Sequence, residues 1–300
     1  MRVFTWFFCL IGGLIMFSHE AQYEIIKVLN NNVILAFDMN KNQELIIVGK
    51  GVGFGHRKND ILKLSNNEIE KLFITYDKKM KNQYYQLINF LDEDVMAVSE
   101  ELIAMGEKSL GPLNPHIHIA LTDHIGFSIE RIKQGIDVNN PFLNEIKLLY
   151  PEEYRISVEA SKIINKTLNV DIPESEIGFI ALHFHSARQN KKVGETVKYT
   201  SLIKRLIEIV EKELNVQFDS TDLSYIRLVS HFRFVIDRLE KGKSEENPIL
   251  NRIKTEYKSS FEIAKKVGKC IEDTLSLPIS DDELGYITIH IQRIKLNKRL

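Results

Sequence analysis

The segment from His124 to His183 aligns without a gap onto His231 to His290, at a constant offset of 107 residues, and 22 of the 60 paired positions are identical. The shared landmarks include NPFLNEIKLLY (Asn140–Tyr150) against NPILNRIKTEY (Asn247–Tyr257), and EIGFIALH (Glu176–His183) against ELGYITIH (Glu283–His290). Self-similarity at one fixed register constrains the fold strongly, because both stretches must adopt the same structure. Apolar spacing within the first copy is helical, as in Ile119, Ile125, Ile129 and Ile132. The expectation is a duplicated all-α domain, with copies at 87–193 and 194–300. Each aligned block ends in a helix, and Ser280-Asp281-Asp282-Glu283 has the form of a capping box for the second one. Pro173 stands at the Ser280 position in the first copy, so that cap must differ.

Upstream of the repeat the pattern changes. Glu24–Leu29, Val33–Phe37 and Glu44–Val48 are short β-branched runs separated by Asn30-Asn31-Asn32 and by Asp38–Asn42, and Leu72-Phe73-Ile74 is expected as a fourth strand. So small a set of strands buries little core alone, which implies pairing with a second copy. Asp77–Asn82 (DKKMKN) reads as a polar linker into the helical part.

At 44% hydrophobic and 27% charged, the chain is neither disordered nor collagen-like. Forty basic against forty-one acidic residues leave a net charge of -1, so any nucleic acid must be held by a compact local site. Cys9 and Cys270 are too few for a disulfide framework or a structural zinc site. Residues 1–21 stand apart, because Val3–Phe17 is almost wholly apolar behind a single Arg2. The run resembles a signal-peptide core and is short for a spanning helix, which needs about 20 apolar residues. Signal sequence, membrane anchor and sequence upstream of the working start are all open from composition.

The repeat singles out four of the nine histidines: His124, His183, His231 and His290. Hydrogen-bonded core or interface groups are the plain alternative to a chemical role. A metal is disfavoured, since His116/His118 and His183/His185 are i, i+2 pairs that diverge on a helix, and the second copy lacks counterparts of His116, His118 and His185. There is no phosphate loop, nucleophile elbow or HExxH pair, and no enzymatic activity or cofactor is expected. A histidine that accepts a phosphoryl group from a partner protein needs only exposure and an unprotonated nitrogen.

In the strand module, KVLNNNVI (Lys27–Ile34) and VGKGVGFGHRKND (Val48–Asp60) combine asparagines, close-approach glycines, an aromatic and cations, a set suited to unpaired RNA. An ordinary hairpin with a core Phe54 is the competing reading. Residues 22–82 hold ten Lys/Arg against seven Asp/Glu, which permits RNA binding without requiring it.

Taken in order, KVLNNNVI and GKGVGFG, then ALTDHIGFSIER (Ala120–Arg131), EIGFIALHFHSA, RLVSHFRFVIDRL (Arg227–Leu239) and YITIHIQRI, resemble the BglG-type transcriptional antiterminators, and most closely the glucose type. The resemblance spans Tyr23 to Leu300. It implies a multi-domain protein, with a small all-β RNA-binding domain (22–80) that works as a homodimer, followed by two all-α PTS regulation domains. Lys27, Asn30, Asn32, Gly49, Lys50 and Phe54 fall at RNA-contacting or neighbouring positions. His124 with His183, and His231 with His290, fall at the phosphorylatable pairs. The implied partners are a leader-mRNA antiterminator hairpin, a sugar-specific PTS permease and the carrier HPr as phosphoryl donors, with no DNA. A PTS-regulated DNA- or protein-binding regulator is the alternative, which a recognition helix in the first eighty residues would favour; none is seen. A cytoplasmic setting follows, and with it a preference for residues 1–21 lying upstream of the true start.

Overall fold

Tyr23 and Ile25 are buried while Gln22, Glu24 and Ile26 are only half-buried, the alternation of a strand with one face on a core. In this computed structural model the described residues are 21–65, 67–74, 78–243 and 245–298, so the readings attached to the apolar run at 3–17 lie outside them. Five strands, β1 (Ala21–Val28), β2 (Val33–Asp38), β3 (Gln43–Val48), β4 (Ile61–Leu64) and β5 (Lys71–Ile74), form an antiparallel sheet in the order β4-β1-β2-β3-β5. Ile25, Ile34, Ala36, Leu45, Ile47, Leu62 and Leu64 make up most of its core.

Side chains of Asn and Asp set both hairpins. Asn30 Oδ1 accepts the N–H groups of Asn32 (2.7 Å) and Val33 (2.9 Å) between β1 and β2. Asp38 Oδ1 does the same for Asn40 and Lys41 between β2 and β3, where Asn42 takes a left-handed φ of 53°. Two expectations are corrected. The run Leu72–Ile74 belongs to the fifth strand, because Ile61–Leu64 pairs with β1 and was hidden behind a glycine-rich stretch. The DKKMKN stretch is not a linker through its length, since α1 (Lys78–Phe90) begins inside it and buries Tyr84 and Ile88.

The chain divides into two compact units near residue 75, the sheet and a helical body. After α1 the helices are α2 (Glu93–Leu110), α3 (Ile117–Lys133), α4 (Leu143–Leu149), α5 (Pro151–Leu168), α6 (Glu174–Arg188), α7 (Val193–Leu214), α8 (Leu223–Glu240), α9 (Leu250–Glu256), α10 (Lys258–Leu275) and α11 (Asp281–Lys298). The 107-residue offset is kept to the residue at the starts of α4/α9, α5/α10 and α6/α11. Local chemistry repeats with it. Asn169 and Ser276 close α5 and α10 in the left-handed conformation. Asn140 and Asn247 cap the turns into α4 and α9, accepting from Phe142 N and Ile249 N, and their own N–H groups donate to Ser175 Oγ and Asp282 Oδ1. Only the Ser280 half of the expected capping box forms, with Glu283 N–H on Ser280 Oγ at 3.3 Å, because Arg238 holds both Glu283 oxygens, and Pro173 takes the cap position in the first copy. Part of the internal identity is therefore architectural.

The two copies share one core, in which Ile146, Leu149, Ala181 and Leu182 meet Leu202, Ile203 and Leu206. Buried polar bonds cross the same joint: Tyr225 Oη to Glu145 Oε1 at 2.8 Å, and Tyr150 Oη with Thr200 Oγ1 at 3.1 Å. Among the described residues no helix is long and apolar enough to cross a membrane.

Candidate functional site

The glycine-rich segment after β3 is zipped onto the asparagine turn before β2. Gly49 N–H and Gly53 N–H donate to the carbonyls of Asn32 (2.9 Å) and Asn31 (3.0 Å), and Gly51 N–H donates to Asn32 Oδ1 at 3.0 Å. A Cβ on Gly53 would fall on the carbonyl oxygen of Asn30, so only glycine lets the two backbones touch. The asparagine oxygens thus shape the loop. Lys50 is exposed at its edge, Phe54 is 71% exposed at its tip, and Lys27 is half-buried on β1 beside the bulge that follows Ile25. An aromatic so exposed is not a core residue.

In the helical unit, each pair of histidines meets ring against ring, the first pair tilted and the second stacked. His124 on α3 and His183 on α6 have ring centroids 4.8 Å apart, and His231 on α8 and His290 on α11 stack at 4.1 Å. The cause is the repeat itself, which packs the third and sixth helices of the body in one way and their counterparts α8 and α11 in the same way. A carboxylate two turns before the second histidine completes each site. Glu176 Oε2 lies 3.2 Å from His124 Nε2 and accepts from Ser128 Oγ at 2.7 Å, while Arg131 Nη2 donates to Oε1 at 2.7 Å. In the second copy Arg238 grips Glu283 with a fork, Nε to Oε1 at 2.7 Å and Nη2 to Oε2 at 2.6 Å. These acidic and basic partners were visible in sequence only as register landmarks, although both recur seven residues from a histidine in each copy.

Burial sets the protonation. It lowers His183 well below the ordinary histidine range, with the neighbouring His124 adding to the effect. It brings His231 down to about 3, with His290 and Arg238 adding to the effect. His290 is lowered by burial and by Arg293 and Arg227. Glu176 is pushed up by burial, but bonds from His124 and Ser128 and the charge of Arg131 outweigh this and hold it below the usual carboxylate range. Burial therefore favours the neutral imidazole at His183, His231 and His290, the form that attacks an electrophilic phosphorus, although His183 Nδ1 and His231 Nε2 are themselves buried. His183 also lines a cleft of about 690 Å³ with Ile119, Asp123, Lys191 and Lys192.

The remaining candidates are structural. His118 Nδ1 is 2.7 Å from buried Glu100 Oε2, which also accepts from Tyr84 Oη at 2.7 Å. His185 stacks on Tyr150 and pairs with Glu153 at 3.0 Å. No cluster of three or more His, Cys, Asp or Glu side chains among the described residues is arranged to hold a metal.

An exposed glycine-rich loop on the sheet unit and two equivalent histidine pairs on a duplicated helical unit set out a multi-domain chain of one sheet module and two related helical modules. Comparison with known proteins gives the same division. Residues 23–82 match the CAT RNA binding domain, and residues 100–187 and 204–294 each match the PRD domain. The chain is 38% identical over 278 residues to the PtsGHI operon antiterminator of Bacillus subtilis (strain 168), covering 92% of this chain and 98% of that protein. It is 35% identical over 277 residues to the GlcA/glcB genes antiterminator of Staphylococcus carnosus (strain TM300), covering 90% and 95%. It also matches the crystal structure of GlcT CAT-PRDI at 44% identity and a TM-score of 0.48, covering 56% of this chain and 99% of that one. The chain belongs to the BglG family of transcriptional antiterminators.

Proposed function

We propose that this chain is a sugar-responsive antiterminator that binds, as a homodimer, a leader-RNA hairpin overlapping a terminator, and is switched by phosphorylation of its paired histidines. The observation that carries the switch is the doubled pair, His124 with His183 and His231 with His290, at equivalent positions on two helix pairs. Lys27, Asn30, Asn32, Gly49, Lys50 and Phe54 form the RNA site: Phe54 stacks on an unpaired base, the lysines contact phosphate, and the asparagine–glycine zipper holds the loop in shape. No chemistry on RNA is needed, because selective affinity for one of two RNA folds suffices.

A sugar permease of the phosphotransferase system phosphorylates the first pair when its sugar is absent, and HPr acts on the second. Each phosphoryl group adds up to roughly two negative charges to a chain of net charge -1. That change alters which dimer packing is populated, and RNA affinity follows. Similarity to the PtsGHI operon antiterminator and the GlcA/glcB antiterminator supports a glucose-type operon as the target. Transcript and donors share the cytoplasm, where the working protein acts. A gel shift of the full chain against the leader RNA of a sugar-transport operon tests the reading. Binding that Phe54→Ala and Asn32→Ala both weaken is expected, and no binding, or binding indifferent to both, refutes it.

A further inference from the structure

The two histidine pairs share their histidines, carboxylate and arginine, and among the positions that differ around them one hydrogen-bonds the carboxylate, Ser128 in the first copy, matched by Val235 in the second. Ser128 donates to Glu176 Oε2 and holds that oxygen beside His124 Nε2, while Arg131 is confined to the other oxygen. Without a hydroxyl, Val235 leaves both oxygens of Glu283 to the fork of Arg238. The same ring nitrogen then loses its acceptor: His231 Nε2 is buried with no hydrogen-bond partner among the described residues. With the Glu283 side chain 1% exposed, its carboxylate is locked away inside the pair with Arg238.

We propose that Glu176 is a positioning residue that keeps the proton of His124 on Nε2 and so directs phosphoryl transfer to Nδ1, and that Ser128 makes this possible in the first copy alone. The inference rests on His124 being a phosphoacceptor. In the step, the Nδ1 lone pair attacks the phosphorus of a phosphohistidine on the donor protein. The new N–P bond forms as the donor's N–P bond breaks, and that electron pair returns to the donor's imidazole nitrogen. The Nε2 proton stays where it is, shared with Glu176, and the carboxylate balances the cationic ring. A carboxylate behind an imidazole selects its tautomer and stabilises its charged form in other nucleophilic sites. His231 lacks that acceptor, so its phosphorylation is slower and not confined to Nδ1.

The test uses the full-length chain and a reconstituted sugar phosphotransferase system containing HPr and the permease. Labelled histidines are mapped by peptide, and the isomer of phosphohistidine is read by NMR, a readout that a merely structural role leaves unmoved. Wild type is expected to carry Nδ1-phosphate at His124. Ser128→Val, which installs the residue the second copy already tolerates, should slow that labelling by roughly tenfold and mix the isomers, and Glu176→Gln should do the same. Val235→Ser should speed labelling of His231. Phosphate on Nε2 of His124 in the wild type, or an unchanged isomer in Ser128→Val, overturns the proposal while leaving the phosphoacceptor reading standing. A chain with no phosphate on His124 overturns that reading, and the proposal with it.

Discussion

Tyr225 donates a 2.8 Å hydrogen bond to Glu145, and the pair ties the eighth helix of the body to the fourth across the joint between the two copies. Neither residue has an equivalent partner within the repeat, since their counterparts are His118 and Arg252. The joint bond therefore has no counterpart inside either copy, and a shared apolar core runs across the same joint.

Tyr225→Phe removes the donor and leaves a buried carboxylate short of a partner, at a cost of about 1–3 kcal/mol. For a helical body of this size, each kcal/mol lowers the melting midpoint by roughly 2–4 °C. Calorimetry should register a lowered midpoint, and an unchanged one would mean that the bond contributes nothing to the joint.

Gly53→Ala should disable the reader without touching the helical body. Its added methyl has no room against the Asn30 carbonyl, so the asparagine and glycine loops must part. RNA affinity should fall below detection by gel shift while calorimetry of the helical transition stays at the wild-type midpoint. Retained affinity would show that the zipper does not shape the site.

Phe54→Ala should separate binding from folding, because a ring 71% exposed contributes little to stability. Loss of one stacked base costs about 1–3 kcal/mol in RNA affinity. The expected result is weakened RNA binding at an unchanged melting temperature, measured on the same preparation.

Acid sensitivity should trace to the histidines. His231 stays neutral when folded down to about pH 3, yet protonates in the unfolded chain near 6.5. Between those values the unfolded state binds more protons, so stability falls as the pH drops. His183 and His290, lowered chiefly by burial, act in the same direction. Glu176, also lowered, adds its loss only in the carboxylate range. His231→Gln should flatten the dependence of urea midpoints between neutral pH and about pH 5 by up to about 1.4 kcal/mol per pH unit. A slope equal to the wild type would place the titration elsewhere.

The repeat made the helical half legible to the residue, because an identity such as Asn140/Asn247 marks one capping turn in both copies. The fourth strand escaped notice because Ile61–Leu64 is four residues long and follows a loop rich in turn formers. The first helix was obscured by DKKMKN, whose lysines suit a solvated helix face as well as a linker. Histidines stood out through their register, whereas the meaning of Ser128 against Val235 arises only once α3 packs on α6. A hydroxyl in place of a methyl matters there because it decides which side chain takes a buried carboxylate oxygen.

Phosphate on the paired histidines is proposed to control RNA binding. The most direct test is the affinity of the full chain for leader RNA before and after phosphorylation by the reconstituted phosphotransferase system, with His124→Ala and His183→Ala alongside. Phosphorylation is expected to lower the affinity at least tenfold, as when several like charges enter a dimeric RNA-binding protein, and to lower it less in either variant, which loses part of the first pair and keeps the second. Equal affinity of the phosphorylated and unphosphorylated wild type would contradict it.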